Sequence, residues 1–232
     1  MEKISVFEVS SRFGVFRKPY TTTSSLTYDF PPRTAIIGMI AAVLGWGNDD
    51  QNHYISFFKE FKVAVKILKP IQKKSTTFKN LNTKQNAPSP NILTLTEMIY
   101  NPSYKLYISW EESKLLTLKN KIINRESFYT PYLGTASNIA KIEYIGDFPI
   151  QWVKPQTEVI VSSVVPKIDN LIFKPMDDQK YIFDTLPYEI DEKRNFVSNR
   201  DYIYNPNLGG IKVVVGDEET VFRVNDDYLI FM

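Results

Sequence analysis

The sequence holds no cysteine among its 232 residues. Disulfides, thiolate zinc sites and cysteine nucleophiles are excluded together. It holds a single histidine, His53, so a multi-histidine metal centre is impossible and a Ser-His-Asp triad would need that residue. There is no Gly-x-x-x-x-Gly-Lys-Ser/Thr phosphate loop. Gly45-Trp46-Gly47 follows a helical pattern rather than a strand, so it is not a dinucleotide fingerprint. The longest apolar stretch, Ala35 to Gly47, is shorter than the roughly 20 residues that span a bilayer. No apolar h-region follows Met1-Glu2-Lys3-Ile4-Ser5. The expectation is a cytoplasmic protein without membrane contact, metal or cofactor.

What is present is an ordinary globular balance, 43% hydrophobic and 23% charged, which rules out global disorder. The length suits one domain, or one domain with an elaborate second lobe. Net charge is only +2, but it is unevenly spread. Residues 1–116 carry 15 Lys and Arg against 9 Asp and Glu, while residues 117–232 carry 13 against 17. Lysines 59, 62, 66, 69, 73, 74, 79 and 84 face only Glu60 between them. Such a basic stretch is either a polyanion footprint or a solvated strand edge that discourages aggregation.

Ile4 to Val9 reads as an opening strand. Ser10 to Tyr28 has no helical period, and irregular segments of that length in compact domains are usually functional or disordered. Pro31-Pro32 sets up a helix over Thr34 to Trp46, ended by Gly45-Trp46-Gly47-Asn48. A short helix is expected over Gln51 to Phe58, a half-buried strand over Phe61 to Leu68, and a projecting basic loop or hairpin over 70–92. Tyr104 to Trp110 reads as a strand and Glu112 to Ile123 as a helix. Short strands then dominate, over 144–150, 157–165, 171–176, 180–189, 211–215, 220–224 and 228–231. The fold class is α+β, with helices on one sheet face and a β-rich C-terminal region. The carboxylate pairs Asp49-Asp50, Asp177-Asp178 and Asp226-Asp227 read as solvated turns, and His53 as a surface or capping residue.

The most informative segment is Arg12-Phe13-Gly14-Val15-Phe16-Arg17-Lys18-Pro19-Tyr20-Thr21-Thr22-Thr23. It interleaves cations for phosphates, aromatics for base stacking and hydroxyls for sugar or phosphate oxygens, the groups that grip single-stranded nucleic acid. Pro31-Pro32-Arg33-Thr34 adds a helix start and an arginine suited to a phosphate. The alternative is a polar connection whose aromatics pack on the sheet.

From Gly14 through Gly45, the Phe-Arg-Lys-Pro-Tyr-Thr-Thr-Thr stretch and then Thr27-Tyr28-Asp29-Phe30-Pro31-Pro32-Arg33-Thr34-Ala35-Ile36-Ile37-Gly38 resemble the fifth CRISPR-associated (Cas) protein family, most closely its type I-B branch. Weaker matches lie in Asn101-Pro102-Ser103-Tyr104-Lys105-Leu106-Tyr107-Ile108 and in Tyr132-Leu133-Gly134-Thr135-Ala136-Ser137-Asn138. Together these matches touch about a third of the chain. The resemblance implies a ferredoxin-like (RRM-like) RAMP domain over 1–140, with a thumb hairpin at about 70–100, and a β-rich region over 141–232 that is either separate or part of the same domain. It also implies a subunit of a type I CRISPR surveillance complex, Cascade, capping the 5′ handle of the guide RNA (crRNA) and contacting the backbone and large subunits. Target DNA near the flanking motif is a further candidate partner.

On that basis Arg17, Lys18 and Arg33 are expected at phosphates, and Tyr20 and Tyr28 against handle bases. Thr21, Thr22 and Thr23 are expected at sugar or phosphate oxygens. Lys73, Lys74, Lys79 and Lys84 are expected on the thumb, following guide backbone or meeting a neighbouring subunit. Tyr132, Gly134 and Asn138 are expected to shape the handle pocket or the large-subunit interface. In type I-C relatives the protein itself cleaves precursor RNA without metal, and that branch places a Lys-His pair in mid-chain. This chain has no such pair, so binding without cleavage is expected, with no catalytic residues. A metal-independent endoribonuclease using Tyr20, Tyr28, Lys73 and Lys74, and an assembly protein without RNA contact, are the alternatives.

Overall fold

The computed structural model describes residues 3–21, 24–47, 58, 60–83, 89–191, 195–217 and 219–232. His53, Asp49-Asp50, Thr22, Thr23, Lys84 and nearly all of the expected 51–58 helix lie outside these residues. In chain order the first part comprises β1 (Lys3–Ser10), β2 (Phe13–Gly14), β3 (Ser24–Ser25), α1 (Arg33–Leu44), β4 (Lys62–Ile67), β5 (Lys73–Leu81), β6 (Asn91–Tyr100), β7 (Ser103–Ser109), α2 (Glu112–Ile123) and β8 (Lys141–Pro149).

A four-stranded antiparallel sheet in the order β4-β7-β1-β8 organises this part. α1 lies between β1 and β4 in the chain, and α2 between β7 and β8. The alternation along β1 explains the layering. Phe7 and Val9 join the core that also holds Ile36, Ile40 and Leu118 of the helices. Ile4 and Val6 point the other way, into a cluster with Phe222, Val224 and Leu229 near the chain's end. The sheet is thus covered on both faces. β8 pairs with β1 from Lys3↔Pro149 to Ser10↔Lys141, so the first sheet runs to residue 149.

α1 is nearly apolar all round, as a helix buried between layers must be. Gly45 ends it in the left-handed conformation (φ +85°), and its N–H donates to the Ala41 carbonyl. Phe128 packs over that glycine, so an added Cβ would lie 2.7 Å from its ring. The main-chain N–H groups of Phe128 and Tyr129 donate to the Val43 and Ala42 carbonyls, fixing the 128–129 segment to the end of α1.

β5 and β6 form a hairpin between β4 and β7, paired from Lys73↔Ile99 to Leu81↔Asn91. Its base is widened by β2 and β3, which also pair with β6. The excursion is a paired ribbon whose second strand ends at Tyr100, past the 70–92 loop read from local composition and level with the end of the 70–100 hairpin that the resemblance implies.

The remaining strands are β9 (Gln151–Trp152), β10 (Glu158–Val161), β11 (Val165–Pro166), β12 (Leu171–Lys174), β13 (Ile182–Ile190), β14 (Phe196–Tyr204), β15 (Ile211–Val215), β16 (Phe222–Val224) and β17 (Asp227–Leu229). Six of them form a sheet in the order β12-β15-β10-β17-β16-β9, and β11-β14-β13 form another. Neither stands apart. Tyr204 and Tyr202 meet Phe30 edge-on, with ring centroids 5.1 and 5.8 Å away. The outer edge of β4 is closed by C-terminal main chain: Val164 N–H donates to the Val65 carbonyl and Met232 N–H to that of Val63, both at 2.8 Å. Asp227, expected in a solvated turn, instead ties the layers together. It accepts hydrogen bonds from Lys66 Nζ at 2.5 Å and Tyr107 Oη at 2.6 Å.

Candidate nucleic-acid interface

RNA-recognition folds of the RRM type often read bases on an open sheet face. Here that face is closed, since Val6, Ala64 and Tyr107 are buried under the C-terminal strands. Any RNA contact must come from the loops, the hairpin or a cleft.

Residues 16–21 and 24–28 run beside each other as a narrow ribbon. Tyr28 N–H donates to the Phe16 carbonyl and Lys18 N–H to the Leu26 carbonyl, each at 2.9 Å, with Arg17 bridging Thr27. Buried Thr27 fixes its base, its hydroxyl accepting from Phe16 N–H at 2.8 Å and donating to the Tyr28 carbonyl. At the turn, Thr21 Oγ1 donates to the Lys18 carbonyl and the Arg17 guanidinium donates to the Thr21 carbonyl. Tyr20 projects from this turn, 66% exposed and free to meet a ring.

The other expected phosphate and base contacts are differently placed. Lys18 Nζ lies 2.6 Å from Asp184 of β13 and 4.9 Å from the Tyr28 ring centroid. Burial draws the Lys18 pKa down, but Asp184 outweighs it and leaves the ammonium above its ordinary value. Tyr28 is buried, and desolvation pushes its hydroxyl up to about 12. Arg33 is 9% exposed and donates from Nη2 to the Phe58 and Phe61 carbonyls, both at 2.9 Å. Its guanidinium also faces the Tyr188 ring at 5.2 Å. In this arrangement Arg33 supports the chain after α1 and does not face solvent.

On the hairpin, Lys73 joins the base to the body. Its Nζ lies 2.7 Å from Asp29, 3.1 Å from Glu97 and 3.1 Å from the Thr27 carbonyl. Burial lowers its pKa, yet Asp29 and then Glu97 more than reverse this. Asp29 in turn accepts from Tyr204 Oη at 2.8 Å, linking hairpin, ribbon and C-terminal strands. Lys74 lies over the Tyr100 ring at 3.6 Å. Lys79 sits further out, exposed beside Leu93 on one face of the hairpin.

The 132–138 loop lies against the start of the ribbon. Val15 N–H donates to the Leu133 carbonyl at 3.1 Å. Gly134 (φ +86°) makes this approach possible, because a Cβ there would fall 1.7 Å from the Val15 carbonyl oxygen. Asn138 is buried and closes the loop, its side-chain amide donating to Thr135 Oγ1. Tyr132 is 43% exposed. Two motifs over a hundred residues apart in the chain are therefore neighbours.

Between ribbon, α1, the 129–134 segment and the β13–β14 hairpin lies a cleft of about 860 Å³, within the ~300–1,000 Å³ range of ligand sites. Arg17, Tyr28, Tyr132 and Gly134 of the expected site residues line it. Lys73, Lys74 and Lys79 do not. Sequence reasoning missed Asp184, Asp29 and Glu97, which hold the basic residues in place, and no local pattern marks them. Among the described residues no group of three or more His, Cys, Asp or Glu side chains gathers as a metal set. No described helix is long and apolar enough to cross a membrane.

Among curated proteins no match is found. Two solved structures share the fold. A CRISPR protein from Archaeoglobus fulgidus superposes with a TM-score of 0.61 at 12% identity, covering 98% of each chain. A chain of a CRISPR RNA-guided surveillance complex superposes with a TM-score of 0.52 at 14% identity, covering 90% of this chain and 91% of its own. The sequence model of the CRISPR-associated protein family Cas5 matches residues 5–201, the span that contains the ribbon, the hairpin and the cleft, and on that match the chain belongs to this family.

Proposed function

We propose that the protein is a non-catalytic crRNA-binding subunit of a type I Cascade-like surveillance complex, working in the cytoplasm and capping the 5′ handle of the guide. The carrying observation is the convergence of the ribbon and the 132–138 loop on one cleft, with Arg17 and Tyr132 lining it and Tyr20 exposed at the ribbon's turn. Family membership and the structural likeness to a chain of an RNA-guided surveillance complex support this context. The order β4-β7-β1-β8 with two helical crossovers supports a ferredoxin-like RAMP domain, and β5–β6 supports its thumb.

In this reading Arg17 and Lys79 meet phosphates, while Tyr20 and Tyr132 meet bases. Lys18 adds positive potential from behind its ion pair. Thr21 shapes the turn through its bonds to Lys18 and Arg17, and Thr22, Thr23 and Lys84 remain proposed contacts. Lys73, Arg33, Tyr28, Gly134 and Asn138 hold the surface in shape. Lys74 borders the hairpin's backbone-tracking face. The hairpin and C-terminal strands are the proposed seats of the backbone and large subunits, and target DNA would pass near them.

Charge states also favour binding over cleavage. A general base must be able to lose its proton near neutral pH. Lys18 and Lys73 are held above the usual lysine value and Tyr28 at about 12, so all three stay protonated. The test is a gel assay of the protein with labelled repeat RNA in chelator. A shifted native band, intact RNA under denaturing conditions and weaker binding of a scrambled handle are expected. A discrete cleavage product would replace this reading with a nuclease. Absence of salt-dependent RNA binding would replace it with a purely structural subunit.

A further inference from the structure

One wall of the cleft comes from the later part of the chain. Pro187 and Ile190 of β13 and Phe196 of β14 line it together with the ribbon, α1 and Tyr132. Phe196 is 53% exposed, and its neighbour Val197 is 62% exposed. Phe196 thus presents an aromatic ring that a ligand in the cleft can reach.

The other surfaces narrow the choice of ligand. Ala35, Gly38 and Ala42 of α1 line the cleft with minimal side chains, which leaves room on that side for a ligand. Tyr132, 43% exposed, offers a second ring. Arg17, Thr34 and Thr130 add a cation and two hydroxyl groups to an otherwise apolar lining. An aliphatic side chain from a protein partner would fill the space but offer no partner to the two hydroxyls or to the guanidinium N–H groups not already donated to the Thr21 carbonyl. A planar heteroaromatic ring on a phosphate chain satisfies all of them: faces against aromatic rings, edges to hydroxyls, phosphate near the guanidinium.

We infer that the β13–β14 hairpin belongs to the RNA interface, and that Phe196 stacks on a single unpaired base of the bound RNA lodged in this cleft. The inference rests on the proposed RNA-binding function and specifies how one nucleotide is held. It gives the C-terminal region a direct part in recognition.

The experiment uses the full chain and single-stranded repeat RNA carrying 2-aminopurine at one 5′ position at a time. Stacking on an aromatic ring quenches that fluorophore. The expected result is strong quenching at one position, relieved by Phe196→Ala, with affinity falling about five- to 150-fold. Phe196→Leu, which keeps apolar bulk but has no ring, should relieve the quenching equally. Because Phe196 is half exposed, both variants should melt like the parent. Salt-dependent binding with no quenched position, or quenching unmoved by either variant, overturns the inference and leaves the proposed function standing. Absence of RNA binding by the parent protein overturns both.

Discussion

Lys18 and Asp184 form an ion pair at 2.6 Å across 166 residues of sequence, and both side chains are mostly buried. The pair fastens the ribbon to β13 and partly neutralises a cation of the expected phosphate-binding segment. Asp184→Asn should therefore act in two directions. Stability should fall by about 1–3 kcal/mol because a half-buried ammonium loses its partner. RNA affinity of the folded protein should rise, with a steeper salt dependence, as the released charge becomes available. Chemical denaturation and binding titrations at several salt concentrations check the two effects separately.

Arg33 should prove structural. Arg33→Ala removes the donor shared by the Phe58 and Phe61 carbonyls, so a loss of about 3 kcal/mol and a Tm lower by roughly 6–12 °C are expected. RNA affinity of the folded fraction should hardly change. An unaltered Tm with lost RNA binding would return Arg33 to a phosphate.

Tyr20→Ala should do the reverse. The ring is exposed, so the melt should be unchanged, while RNA affinity should drop by about 1–3 kcal/mol. Equal affinity of variant and parent would remove Tyr20 from the interface.

Gly134→Ala tests the junction of the two motifs. The new Cβ would collide with the Val15 carbonyl in a backbone conformation that L side chains rarely adopt. A loss of more than about 2 kcal/mol is expected, together with faster hydrogen exchange at the Val15 amide, which loses its Leu133 acceptor. A Gly134→Ala protein as stable as the parent would refute the close approach.

Acid sensitivity should pass through Asp227. Burial raises its pKa, but the hydrogen bonds from Lys66 and Tyr107 outweigh this and leave it below the usual carboxylate value. A depressed folded pKa gives stability that is complete above the unfolded value of about 3.9 and is lost as pH falls through the folded value. Asp227→Asn should lower stability at neutral pH and flatten its decline below about pH 4, measured by denaturant melts across that range.

Several of these relationships were open to sequence reasoning and others were not. The start and stop of α1 are written locally in Pro31-Pro32 and Gly45; the helix spans Arg33–Leu44 in place of the expected Thr34 to Trp46, because Gly45 takes the left-handed conformation and ends it two residues sooner. The irregular path after β1 is equally plain, and among the described residues of 11–28 only two-residue strands occur. β14 was missed because Asn199-Arg200-Asp201 interrupts apolar alternation, and only pairing with β13 makes it a strand. Asp29 and Lys73 lie 44 positions apart and Lys18 and Asp184 much further, so nothing local marks them as partners. The cations of the basic segment were visible, but whether each one points to solvent or is bound internally depends on those distant carboxylates.

The closure of β4 by Val164 and Met232 bears on how the protein is made. The first sheet is encoded early, yet its open edge and its second face are covered by later residues, Ile150, Val164, Phe222, Leu229 and Met232 among them. Until then a nascent chain displays unpaired strand amides and the apolar side chains of Ile4, Val6 and Ala64. Fragments ending before Phe222 should therefore behave as aggregation-prone intermediates rather than as a free-standing first domain. Attempts to express the RNA-gripping part alone, however natural the division looks on paper, would cut away the cover that keeps it soluble.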